Sequence, residues 1–150
     1  MDLQLGRQVV IVTGAASGIG AAAARLLAAE GAGGLVLTDR DARGLARLAA
    51  DLTPATPVET VVADLADPAA SAAIAAAAIA RFGRIDGLVN AAGLTTRGSF
   101  ETGTAAIWDE LFDVNARAGF LLMQAAIVDM RRRGAPGAIV NILSMNAYCG

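Results

Sequence analysis

A glycine-rich turn near the N-terminus is the first segment of the chain whose residue pattern suggests ligand binding. Residues 13–20 read TGAASGIG and continue directly from an apolar, β-branched run over residues 9–13. Glycines at this spacing let the backbone turn tightly and approach a pyrophosphate, and a helix that starts here offers free N–H groups. The pattern predicts a phosphate-binding loop made of Gly14, Ala16, Ser17, Gly18, Ile19 and Gly20. The alternative is a group of turn and packing glycines in a chain that contains 17 of them.

Two aspartates end the next two apolar runs. Asp39 lies 19 residues after Gly20, where a carboxylate can accept both ribose hydroxyls of an adenosine. It would repel a 2′-phosphate, so NAD is favoured over NADP, although the neighbouring Arg40 could attract that phosphate. Asp64 could accept a hydrogen bond from an adenine amino group. The alternatives are a capping or turn role for Asp39 and a solvated turn for Asp64.

Strands and helices that alternate along the chain must position these residues. Short β-branched runs predict strands, and longer segments of helix-forming residues with suitable caps predict helices. The predicted strands are residues 9–13, 35–38, 58–63, 85–90 and 138–143, and the predicted helices are residues 18–30, 41–52, 67–82 and 104–133. Asp41 and Asp67 are the expected N-caps, with Pro68 at the first helical position. The last segment is expected to contain two helices that meet near residues 113–115.

Strands that are apolar on both faces and are joined by helices favour a parallel sheet covered on both sides. Right-handed crossovers then give an α/β fold with a doubly wound, Rossmann-like parallel sheet of at least five strands. No linker, low-complexity segment or internal repeat interrupts the chain. We therefore predict one NAD(P)-binding domain over residues 1–150.

Composition excludes several other classes of protein. The chain is 55% hydrophobic with a formal net charge of −2, which argues against a disordered chain and a general nucleic-acid binder. All 12 basic residues are arginine and histidine is absent, so a Ser–His–Asp hydrolase and a Walker A loop are excluded, and no metal site is expected. The single Cys149 favours a reducing compartment. The N-terminus does not resemble a signal peptide and the longest apolar run is residues 72–80, so we expect a cytoplasmic protein without a membrane segment.

The order of motifs resembles the short-chain dehydrogenase/reductase family over nearly the whole chain. Residues 13–20 resemble its TGxxxGxG loop, Asp39 its NAD-selecting acid, and Asp64 with Leu65 its adenine-edge pair. Further along, the resemblance rests on the NAAG segment of Asn90, Ala91, Ala92 and Gly93, on Asn115 and on Ser144. Each motif alone is weak, but six in this order are specific.

This resemblance implies an oxidoreductase that transfers a hydride between a nicotinamide cofactor and an alcohol or carbonyl substrate. Ser144 would polarise the substrate oxygen, and Asn115 would support the proton relay. From the residues alone, a cap or turn role is favoured for Ser144, and the NAAG segment could be a simple turn. Asn115 lies in an apolar helical stretch, where a buried amide needs partners, so it could instead brace a break in the backbone.

Part of the family's catalytic machinery has no counterpart in the sequence. The family's proton donor is a tyrosine about 13 residues after the serine, followed four residues later by a lysine that lowers its pKa from ~10. The chain has no lysine, and its one tyrosine, Tyr148, is only four residues after Ser144. We therefore expect the N-terminal portion of a longer enzyme, with a sheet incomplete at its C-terminal edge and with no activity in residues 1–150 alone. The alternatives are a non-catalytic NAD-binding module and another Rossmann-like enzyme such as a methyltransferase.

The resemblance also implies partners. The substrate is expected to be a small alcohol or carbonyl compound, and the polar loop over residues 94–101 would suit a sugar or polyol. A homodimer or homotetramer is expected to form through residues 104–133. That segment carries an apolar stripe of Phe112, Phe120, Leu121 and Met123, for which core packing is the alternative.

Overall fold

The computed structural model describes residues 5–144, so Tyr148 and Cys149 lie outside the described residues. Five strands form one parallel sheet in the order β3-β2-β1-β4-β5. The strands are β1 (Val9–Thr13), β2 (Gly34–Asp39), β3 (Val58–Val62), β4 (Gly87–Asn90) and β5 (Ala138–Asn141). The predicted α/β class and the Rossmann-like parallel sheet are confirmed. The sheet is not closed, since β5 has one neighbour and most of its residues are exposed.

Helices connect the strands as the alternating sequence pattern predicted. They are α1 (Gly18–Ala29), α2 (Ala42–Leu52), α3 (Ala70–Phe82), α4 (Ala105–Phe112) and α5 (Ala118–Arg133). A π turn (Asp113–Arg117) joins α4 to α5, so the two helices meet where the sequence placed a junction. Asp41 caps α2 as predicted, because its carboxylate accepts hydrogen bonds from the Arg43 and Gly44 amides at 3.1 and 3.0 Å.

The core has two layers, one on each face of the sheet. Successive side chains of β1 point to opposite faces, so Val9 and Ile11 join one apolar cluster while Val10 and Val12 join the other. The first cluster contains residues of α3 and α5, and the second contains residues of α1 and α2. β1 is buried along its whole length because both layers cover it.

Three predicted boundaries are wrong by a few residues. The third helix begins at Ala70, and its N-cap is Ala69 rather than Asp67. The Asp67 carboxylate accepts from the Ala69 amide at 2.8 Å, which closes a local turn that replaces the first helical turn. The fourth strand begins at Gly87, and the fifth ends at Asn141.

The segment Ala105–Arg133 is long and apolar enough to cross a membrane by length and composition alone, with 29 residues and a mean hydropathy of 1.3 in its most apolar window. Core helices of soluble proteins meet the same criterion. In this structure 17% of that window is buried. Leu122, Ala126 and Met130, spaced four residues apart, are buried in the core layer that also contains α3. The absence of a membrane segment therefore stays a prediction.

A buried ionic cluster ties α5 to the N-terminal ends of β1 and β4. The carboxylates of Asp86 and Asp129 are almost completely buried, and each also accepts a backbone hydrogen bond of 2.9 Å, from Val9 and Ile85 respectively. Arg133 bridges the two acids, because its Nε donates to Asp129 at 2.7 Å and its Nη2 donates to Asp86 at 3.1 Å. The cluster thus replaces water around two buried charges.

The arginines of this cluster set the ionisation of its acids. Burial by itself would raise the pKa of Asp129, but hydrogen bonds from Arg132, Arg133 and the Ile85 amide outweigh it and lower the pKa to about 2. Because this value lies below the ~3.9 of an unfolded aspartate, the cluster stabilises the fold above pH 4. That stabilisation is lost as the pH falls towards 2.

We expect the substitution Asp129→Asn to lower the free energy of unfolding at pH 7 by about 3 kcal/mol, because it removes the buried charge that pairs with the largely buried Arg133. The deficit should shrink as the pH falls from 5 to 2, since wild-type Asp129 then becomes protonated. Urea unfolding at a series of pH values measures this. The control is Asp51→Asn, which removes an exposed ion pair with Arg25 and should cost under about 1 kcal/mol. A deficit for Asp129→Asn that stays constant from pH 7 to pH 2 would contradict the assignment.

Candidate functional site

A crevice opens at the edge of the sheet where β1 and β4 end. The chain leaves β1 towards β2 on one side, whereas β4 lies on the other, so the loops after these two strands diverge. In open α/β sheets such a switch point is where ligands bind. The loops after the first four strands line a cavity of about 490 Å³ here.

The predicted glycine loop forms one wall of this cavity through Gly14 and residues 17–20. A Cβ built on Gly14 would lie 2.8 Å from the Ala92 Cα, and a Cβ on Gly20 would lie 2.2 Å from the Gly14 carbonyl oxygen. Gly14 also has a φ of +64°, which disfavours other residues. Both glycines are therefore required by close backbone contacts, so the turn and packing interpretation and the binding interpretation hold together.

The N-terminus of α1 points a row of amides towards this wall. Ser17 is the N-cap, and its side chain makes no capping hydrogen bond. The amides of the first helical turn have no partner within their own helix and carry the positive end of the helix dipole. The arrangement can hold an anionic group such as a pyrophosphate.

Asp39 lines the cavity with both carboxylate oxygens held in place. Its Oδ2 accepts from the Ala16 amide at 3.0 Å, and its Oδ1 accepts from the Asp41 amide at 2.9 Å. Ala16 itself does not line the cavity, so its contribution is to fix this carboxylate rather than to touch a ligand. Arg40 lines the same cavity, which places one negative and one positive side chain at this end.

The loop after β3 supplies the next part of the wall. Asp64 and Leu65 line the cavity as predicted, together with Ala63, which the sequence analysis did not include. The Asp64 Oδ1 accepts from the Ala66 amide at 2.9 Å, so this aspartate shapes a turn and also faces the cavity. The two alternatives for Asp64 are thus compatible.

The loop after β4 carries Ala91, Ala92 and Gly93 into the opposite wall. The hydroxyl oxygen of Thr13 accepts from the Ala91 and Ala92 amides at 3.1 and 3.0 Å, which anchors this loop to the end of β1. Thr13 is 1% exposed, and its anchoring role was missed because a threonine that ends a strand gives no such signal in the sequence. Leu94 and Val114 also line the cavity and were not predicted.

Asn90 lies in a neighbouring cavity of about 220 Å³ rather than in the main one. Its Nδ2 donates to the Asn141 Oδ1 at 2.8 Å, which joins the ends of β4 and β5. Its Oδ1 is buried and has no hydrogen-bond partner among residues 5–144. The predicted direct contact of Asn90 with a cofactor therefore has no support from the position of its side chain.

Asn115 also lines the smaller cavity, and its side chain clamps one peptide. Its Oδ1 accepts from the Leu94 amide at 2.7 Å, and its Nδ2 donates to the Leu94 carbonyl oxygen at 2.8 Å. The prediction that Asn115 is buried is wrong, because the π turn displays it at the open end of the sheet where it is exposed. Of the two predicted roles, this geometry fits the bracing one.

Ser144 is exposed and lies three residues beyond β5. It is not among the described residues that line either of the two cavities. In the described part of the chain, no group of three or more potential metal ligands comes together.

Comparison with known proteins gives a consistent result. The family model for short chain dehydrogenase matches residues 8–150. The D-threitol dehydrogenase of Mycolicibacterium smegmatis is 42% identical over 147 residues, which cover 97% of this chain and 56% of that protein. Among the first five curated relatives, the matches span 54–62% of each relative's length.

Solved structures agree with the fold. A metagenomic short-chain oxidoreductase in complex with NADP is 41% identical, with a TM-score of 0.86 over 93% of this chain and 63% of that one. L-sorbose reductase from Gluconobacter frateurii, complexed with NADPH and L-sorbose, is 32% identical, with a TM-score of 0.92 over 98% and 56%. The 3-ketoacyl-(acyl-carrier-protein) reductase of Brucella melitensis, complexed with NADH, is 32% identical, with a TM-score of 0.86 over 95% and 59%.

The family match covers nearly all of the chain, and the glycine loop, Asp39, Asp64 and residues 91–93 all contribute residues to the lining of one cavity. This chain belongs to the short chain dehydrogenase family.

Proposed function

We propose that this chain is the cofactor-binding part of an oxidoreductase that transfers a hydride between a nicotinamide dinucleotide and an alcohol or carbonyl substrate. The observation that carries the proposal is the single cavity that runs from Asp39 and Asp64, past the start of α1, to residues 91–93. Its wall at Gly14, Gly18 and Gly20 carries no side chains, and open space lies beside Gly18, which fits a pyrophosphate held against the backbone. When bound, the nicotinamide supplies the carbon that accepts or gives the hydride.

Each part of the cavity has a chemical role in this proposal. The amides at the start of α1 hold the pyrophosphate, and Asp39 accepts hydrogen bonds from the adenosine ribose. Asp64 accepts from the adenine amino group beside Leu65. The small residues 91–93 let the backbone approach the nicotinamide-side ribose, and Thr13 holds them there.

Two observations bear on the choice of cofactor. The named solved structures hold NADP or NADPH more often than NADH, and Arg40 could pair with a 2′-phosphate. Against this, the Asp39 carboxylate is fixed by two amides and would repel such a phosphate. We favour NAD, because an immobilised negative charge acts more strongly on a bound phosphate than a flexible exposed arginine does.

In this proposal the described residues assist proton transfer, and another segment of the enzyme supplies the proton. Ser144 donates a hydrogen bond from its hydroxyl to the substrate oxygen, keeping its own proton, and so stabilises charge that develops there. Both polar atoms of the Asn115 side chain are bonded to Leu94, so Asn115 acts as a positioning residue beside the proton path. The proton donor itself, a tyrosine assisted by a lysine, belongs to the remaining length that the relatives have.

A second candidate function is cofactor binding without turnover by this chain itself. Residues 5–144 contain no tyrosine, and the whole sequence contains no lysine or histidine, so the described residues lack the tyrosine and lysine to which the resemblance assigns proton transfer. Residues 1–150 would then act as one NAD-binding domain.

The substrate class is inferred from the named relatives and from one exposed polar loop. The named relatives act on threitol and sorbose, and the loop with Thr95, Thr96 and Arg97 is exposed and polar, so a small polyol or its ketone suits this site.

We propose a homodimer or homotetramer through residues 104–133, in the cytoplasm. The support is a row of exposed large apolar side chains on that segment, namely Trp108, Phe112, Phe120, Ile127 and Val128.

The first test concerns Asp39. We expect wild-type chain to bind NAD⁺ more tightly than NADP⁺, and Asp39→Asn to shift the affinity ratio towards NADP⁺ by about tenfold or more, because a charge-assisted hydrogen bond is lost and a repulsion removed. Isothermal titration calorimetry measures both affinities. Asp41→Asn is the matched control, since it removes the same charge from the same turn and keeps a good N-cap. An equal shift in both variants would contradict a direct ribose contact.

The second test concerns Asn115. Asn115→Ala removes two hydrogen bonds that hold Leu94, so we expect NAD⁺ affinity to fall about fivefold while ADP-ribose affinity stays unchanged. Gln124→Ala, an exposed amide on α5, should change neither affinity. Equal losses for both ligands would show that Asn115 does not act on the nicotinamide side.

The third test concerns turnover. Purified residues 1–150 should bind NAD⁺ but should not reduce it in the presence of threitol or other small alcohols, as followed by NADH absorbance. A longer polypeptide that adds a Tyr-x-x-x-Lys segment should restore reduction. Turnover by residues 1–150 alone would refute the assignment of the proton donor to another segment.

A further inference from the structure

Arg117, at the end of the π turn, makes an unusual pair of contacts behind the cavity wall. Its Nη2 donates to the Ala66 carbonyl oxygen at 2.5 Å, and its Nη1 lies 2.5 Å from the Asp113 Oδ1. Arg117 does not line either cavity described above. It therefore acts on the loop that contains Ala66 rather than on a ligand directly.

That loop, residues 64–67, is otherwise held by local hydrogen bonds. The Ala66 amide donates to the Asp64 carboxylate at 2.9 Å, and the Asp67 amide donates to the Asp64 carbonyl oxygen at 3.0 Å. Within the described part of the chain, the bond from Arg117 is its only hydrogen bond to a distant segment. At its start the loop is held by the Ala63 amide, which donates to the Asp39 carbonyl oxygen at 3.1 Å. Local turns fix the shape of the rest, and Arg117 together with the packing of Leu65 on the core places it.

The guanidinium is well suited to this task. Its planar fork presents two donors in a fixed geometry, so one nitrogen can be held by the Asp113 carboxylate while the other reaches the carbonyl. The side chains of Arg117 and Asp113 are 38% and 29% exposed, and the Arg117 Nε is buried without a partner among residues 5–144. The side chain is therefore committed to these two acceptors.

We propose that Arg117 is a positioning residue for the adenine end of the cofactor, because it places the turn that presents Asp64 and Leu65 to the cavity. The inference rests on the proposed dinucleotide function and deepens it. The same π turn carries Asn115, which clamps Leu94 on the opposite wall. A single irregular turn thus sets both ends of the binding cavity.

The test compares NAD⁺ with nicotinamide hypoxanthine dinucleotide, in which a carbonyl oxygen replaces the adenine amino group. Wild-type chain should prefer NAD⁺, since Asp64 accepts from the amino group and repels the oxygen. In Arg117→Met this preference should fall about fivefold, because Asp64 is no longer held in place. Arg117→Lys should restore part of the preference, as lysine keeps one donor but loses the fork. Calorimetric titration of each variant gives the ratio of the two affinities.

Arg131→Met is the matched control, since Arg131 is an exposed arginine on the next helix, and its ratio should equal that of wild type. A role in stability alone would weaken both ligands equally and leave the ratio unchanged in Arg117→Met, which would overturn the proposal. If Arg117→Met does not fold, an unchanged ratio in Arg117→Lys and in Asp113→Asn overturns it equally. A wild-type chain that binds both ligands alike also overturns it, whereas a wild-type chain that binds neither refutes the proposed function itself.

Discussion

The loops that follow β1 and β4 touch backbone to backbone, since a Cβ on Gly14 would lie 2.8 Å from the Ala92 Cα. Two amides of the second loop also bond to the buried hydroxyl of Thr13, at the end of the central strand. Because these loops form facing walls of the cavity, their contact fixes its width. The glycines are therefore needed for the fold of this edge before any ligand is considered, and the binding proposal uses a space that the backbone already defines.

The N-terminal and C-terminal ends of the strands carry different kinds of polar interaction. At the N-terminal edge, Asp86, Asp129 and Arg133 form a buried cluster in which charges are paired and amides are satisfied. At the C-terminal edge, Asp39 and the amides at the start of α1 face an open cavity. This separation lets the first edge contribute to stability while the polar groups at the second stay available to a ligand.

The π turn between α4 and α5 links the two sides of the cavity. A regular helix would place residues 113–117 at a different rotation, and the side chains of Asn115 and Arg117 would then point elsewhere. In this turn one of them holds Leu94 and the other holds Ala66. Irregular helical turns of this kind are frequent at functional sites because they re-aim side chains without breaking the helix.

Three features could be predicted from the amino-acid sequence: the order of strands and helices along the chain, the glycine loop and the aspartate cap of α2. These features depend on local properties, namely apolar periodicity, glycine spacing and a carboxylate next to free amides. The sequence also identified most residues that line the cavity, since in a parallel sheet the strand ends must meet at one edge. The absence of lysine, which the resemblance pairs with a catalytic tyrosine, was also visible in the sequence.

Contacts between residues far apart in the chain could not be predicted from the sequence and are seen only in the folded structure. Thr13 meets Ala91 across 78 positions, Arg117 meets Ala66 across 51, and Asp129 meets Ile85 across 44. The exposure of Asn115 and the late start of α3 have local causes, the π turn in one case and the Asp67 turn in the other, but neither turn has a clear signal in the sequence. Periodicity and spacing report what a residue prefers locally, whereas these contacts exist only once the sheet has brought distant loops together.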